Sequence, residues 1–130
     1  MRRDSAVSGP DSPLEAALRW LEPRLVDVPA ELSAEIERCV RAAAPTNLGS
    51  DTVAATLAAG ALTALDMVIA APQTRDSAPQ LLAADACLTY AFESAAERRG
   101  DLAGLAERLG LRGELGARLR AALAADSGPA

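Results

Sequence analysis

Apolar residues recur at helical spacing along almost the whole chain, and the breaks between the runs are marked by proline, glycine and capping residues. Ser12-Pro13-Leu14-Glu15 is a helix start: Ser12 caps, Pro13 suits the first turn, and Glu15 completes a capping box. Leu14, Ala17, Leu18 and Leu21 then share one face, and Pro23 ends or kinks the helix. A second helix is expected over about 29–44, with Leu32, Ile36, Val40 and Ala43 as its stripe and Cys39 beside it. Glu31, Glu35, Arg38 and Arg41 face away, and Pro45 stops it before the loop PTNLGS.

Residues 52–71, TVAATLAAGALTALDMVIAA, carry one charge, Asp66. Ser50 or Asp51 is the expected cap and Pro72 follows the end. The fourth helix starts at Ser77-Ala78-Pro79-Gln80, a second capping box, and runs to Arg99 with Gly100 as its C-terminal stop. Asp101 caps a short fifth helix ending near Gly110. A last helix covers about 113–125, with Leu111, Leu115, Leu119 and Leu123 along one side. The pattern predicts an all-α, single-domain bundle of five to six helices, with a central antiparallel hairpin (about 51–71 and 78–99) and two short C-terminal helices. Residues 1–11 are expected to be a disordered lead-in without a signal peptide's apolar region, 12–125 the helical domain, and 126–130 a frayed tail.

The third helix has the length of a membrane span. Much of it is Ala or Gly, however, it lacks an aromatic belt, and Asp66 lies well inside, where a charge costs about 2.5–3.5 kcal/mol on insertion scales. No membrane is therefore expected. A helical wheel places Val53, Leu57, Leu62, Leu65, Val68 and Ile69 on one half and Thr52, Thr56, Ala59, Thr63, Asp66 and Ala70 on the other. The second set is a weakly polar surface or a candidate interface stripe for a close helix–helix contact.

On the fourth helix Leu81, Leu88, Phe92 and Ala96 share the expected core face, and Asp85 projects from it. A buried carboxylate must be paired, neutralised or near solvent. Asp85 is therefore a candidate structural or functional acid, with Arg19, Arg24 and Arg75 as candidate partners. Tyr90, Glu93 and Glu97 are expected to face solvent.

Composition narrows the chemistry. The chain has 31 Ala and 19 Leu but one each of Phe, Tyr and Trp, which favours helices that pack closely and bury little area per residue, helped by self-association. A net charge of −5 argues against nucleic acid as a general partner. Cys39 and Cys87 lack CxxC spacing and are expected as reduced packing residues in a cytoplasmic protein. With no histidine, histidine-dependent triads and His-ligated metal sites are excluded; with no lysine or glycine-rich loop, so is a phosphate loop. No cofactor is expected.

Residues 81–92, LLAADACLTYAF, resemble a helix of the trans-polyprenyl diphosphate synthases, which often reads like LLAGDALLTLAF. That family holds magnesium and diphosphate on DDxxD motifs. This chain has no adjacent aspartates, so no activity and no residue role carries over. Residues 102–121 look like a helix-turn-helix, with Ala106 and Gly110 at the small-residue and turn positions. Gly116 departs from that pattern. Arg112, Arg118 and Arg120 are the alternative DNA contacts, set against two helices that simply close the bundle.

Three functions follow as expectations. The preferred one is a non-enzymatic protein-interaction or homo-oligomeric module. The others are a DNA-binding regulator using 102–121, and an apolar-ligand (prenyl-like) binder or enzyme with a pocket at Asp85.

Overall fold

A computed structural model describes residues 12–43, 52–71, 75–98, 101–110 and 112–126. The expected lead-in 1–11, the loop at 45–50, the caps Ser50 and Asp51, and Pro72, Arg99, Gly100, Leu111 and 127–130 lie outside the described residues. Among the described residues six α-helices follow one another: α1 Pro13–Leu21, α2 Ala30–Arg41, α3 Val53–Ala70, α4 Ala78–Ala96, α5 Asp101–Leu109 and α6 Glu114–Asp126. Single 3₁₀ turns at Glu22–Arg24 and Arg75–Ser77 follow α1 and precede α4. The fold is an all-α bundle around the α3–α4 hairpin.

Local chemistry sets most of the boundaries. The Ser12–Glu15 capping box forms with both hydrogen bonds, at 3.1 and 3.2 Å. Pro23 converts the end of α1 into a 3₁₀ turn because it has no N–H to continue the ladder. α3 is capped by Thr52, whose hydroxyl accepts from the Ala55 N–H at 3.0 Å. The expected capping box of α4 does not form: Ser77 has helical dihedrals as the last residue of the 3₁₀ turn and makes no side-chain cap. α4 ends at Ala96 rather than at Arg99, with Glu97 as its C-cap.

α3 is the centre, in contact with α1, α2, α4 and α6. It is long and apolar enough to cross a membrane by length and composition, and 56% of it is buried inside the bundle. Its burial is not confined to one half. Leu57, Leu62 and Val68 are buried, and so are Ala54, Ala55, Ala58, Ala59, Gly60, Ala61 and Ala64. Small side chains let several helices approach at once: a Cβ on Gly60 would lie 3.1 Å from the Val40 Cα of α2.

α4 overturns the expected choice of core face. Its buried residues are Ala83, Ala84, Cys87, Ala91, Ser94 and Ala95. Leu81 is 52% exposed and Asp85 and Ala96 are exposed, while Leu88 and Phe92 are half-buried. The bulkiest residues do not point at α3 because the tight hairpin has room there only for alanine-sized groups. Large side chains fill the core from other helices: Leu21, Ile36, Leu105 and Leu109 are fully buried.

Candidate functional site

The outward-turned residues leave α4 with two flanks. On one, the end of α1 closes against α4. Trp20 meets Tyr90 edge-on, with ring centroids 6.1 Å apart. Its indole N–H donates to Glu97 at 3.1 Å. Arg24 lies over the Trp20 ring at 3.5 Å, donates to Glu93 at 2.9 Å and to Glu97 at 3.0 Å, and donates to the Trp20 carbonyl. Tyr90, Glu93 and Glu97 therefore anchor α1 rather than facing solvent alone, and Arg24 belongs to them and not to Asp85. The signal was present in the sequence as matched i,i+4 pairs, Trp20/Arg24 and Glu93/Glu97, on different helices.

On the other flank lies an open groove of about 180 Å³ between α3, α4 and α6. Ala61 and Ala84 form its floor, and Leu65, Leu81, Leu88 and Leu115 its walls. Asp85 is the polar residue in this lining. It is exposed and has no ion-pair partner among the described residues, so of the expected alternatives it lies near solvent and not in a pair with Arg19, Arg24 or Arg75. The apolar lining extends beyond the groove. Ile69, one turn after Leu65, is 42% exposed, and Leu119, one turn after Leu115, is 50% exposed.

The expected stripe on α3 is not one continuous surface. Ala59 is buried; Thr52, Thr56 and Thr63 are half-buried; Asp66 and Ala70 are exposed. Thr52 is spent on its cap, and the Thr56 hydroxyl donates to the Thr52 carbonyl at 2.9 Å. Asp66 receives Arg118 of α6 through two hydrogen bonds, at 2.8 and 3.1 Å. Arg118 also donates to Glu114 at 2.7 Å. Burial pulls the Arg118 guanidinium down, but the hydrogen bonds and charges of Asp66 and Glu114 outweigh it and hold the group above its ordinary value. Arg118 is thus a strut between helices, whereas Arg112 and Arg120 are exposed. The lower part of the expected α6 stripe is exposed too, with Leu123 at 57%.

Cys39 and Cys87 are free thiols in the core. Burial, with a smaller contribution from Cys39, pushes the Cys87 thiol up to about 12. Burial and the Glu35 charge also raise Cys39, partly opposed by Arg38. Glu35, expected to face away, instead accepts from the Cys39 thiol at 3.9 Å and pairs with Arg38. A raised pKa keeps both groups as thiols, which are poor nucleophiles.

Among the described residues no group of three or more Cys, Asp or Glu is placed to hold a metal ion. The groove sets an apolar lining beside one carboxylate that has no ion-pair partner among the described residues. Comparison of the chain with protein-family models, characterised proteins and solved structures gives no match.

Proposed function

We propose that the chain is a non-enzymatic helical module that self-associates, with the groove beside Asp85 as its docking surface. The observation that carries this reading is the groove itself, an apolar lining that opens outward between half-exposed leucines. Apolar side chains gathered in one exposed place, with polar residues beside them, are a feature of interaction sites on soluble proteins.

A second copy of the chain is the occupant with the best chemical fit. α6 borders the groove through Leu115 and presents Leu119 and Leu123 one turn apart. In a two-fold pairing the same patch serves both partners, so an apolar stripe beside a groove is self-complementary. Charge is compatible with this: Arg112 and Arg120 are exposed beside the groove's α6 wall, while the groove offers Asp85. A cytoplasmic setting fits the free buried thiols.

A small apolar ligand, the reading suggested by Asp85 at a groove wall, fits less well. Sites that enclose drug-sized molecules span roughly 300–1,000 Å³. The groove measures about 180 Å³ and is open, which suits one or two side chains of a neighbouring helix. DNA binding through α6 loses Arg118, which is held by Asp66 and Glu114.

Sedimentation velocity over a concentration series tests the reading. The expected result is a dimer fraction that rises with concentration and falls in Leu81→Arg, with helical content unchanged. A strict monomer up to high micromolar concentration, with unshifted Leu65, Leu81 and Leu88 methyl resonances, would overturn it.

A further inference from the structure

No further inference is drawn: the strongest candidate, the pair of buried thiols that Cys39 of α2 and Cys87 of α4 bring into the core of the bundle, rests only on the raised pKa values of the two groups, which keep both as poor nucleophiles.

Discussion

The two flanks of α4 begin alike and end differently. Each borders a hairpin packed through alanine, and each needs large side chains from a neighbouring short helix to fill its shoulder. On the α1 side, Trp20 covers the shoulder and ends in a donor that reaches Glu97, while Arg24 bridges the rest. On the α6 side, one leucine, Leu115, reaches in, and Arg118 ties down its own helix rather than filling the space. A closely packed hairpin thus does not settle whether its sides are closed. That depends on one or two bulky residues in the helices beside it.

Both flanks lean on one shared core, and the largest predicted effect tests this. Leu62 is 1% exposed in the middle of α3. Leu62→Ala should cost about 3 kcal/mol, from lost burial and the cavity left behind, read as a lower urea midpoint with a single transition. Two separated transitions would mean that the flanks unfold independently.

The contrast itself is tested by truncating one large residue on each side. Trp20→Ala should cost about 2 kcal/mol, below the range for a fully buried tryptophan because Trp20 is only half-buried. Leu81→Ala, on the open flank, should cost well under half as much because the side chain is already 52% exposed. Equal costs in chemical denaturation would remove the distinction between a closed and an open flank.

Between the flanks, Cys87 makes alkaline pH a probe of the core they share. Its folded pKa is about 12 against an ordinary value of 9.0. Between these values the folded state keeps the proton and the unfolded state loses it. The thiol's contribution is therefore fully present below pH 9 and is lost as pH rises toward 12. Stability should fall by about 1 kcal/mol per pH unit in that window, and Cys87→Ala should flatten the slope. Urea midpoints from pH 8 to 11 measure it.

How much of this was legible in the sequence depends on what each residue had to compete with. The helices and the hairpin were readable because caps, prolines and periodicity act locally. The Ser12–Glu15 box formed as expected, whereas Ser77 failed as a cap because the 3₁₀ turn at Arg75–Ser77 had taken its backbone. The core face of α4 was misjudged for a tertiary reason. Apolar size points to Leu81, Leu88 and Phe92, but the width of the α3–α4 gap selects alanine, and one helix does not reveal that gap. Asp85 was singled out by the same error: its wheel position was read correctly, but the face it shares is an open flank. The Asp66–Arg118 pair joins residues 52 positions apart, and nothing in their local spacing announces it.

The smallest predicted change in stability falls on Asp85 itself. It is exposed and without an ion-pair partner among the described residues, so Asp85→Asn should leave the urea midpoint nearly unchanged, within about 0.5 kcal/mol. In the proposed self-association, its effect is on affinity. A carboxylate facing the arginines of a second copy adds attraction that salt screens. Asp85→Asn should therefore weaken the dimer at low salt, and the difference from the parent chain should shrink as salt rises. If association is unchanged at every ionic strength while Leu81→Arg still disrupts it, the open flank docks through its leucines alone, and the charge beside them is only part of the chain's solvated surface.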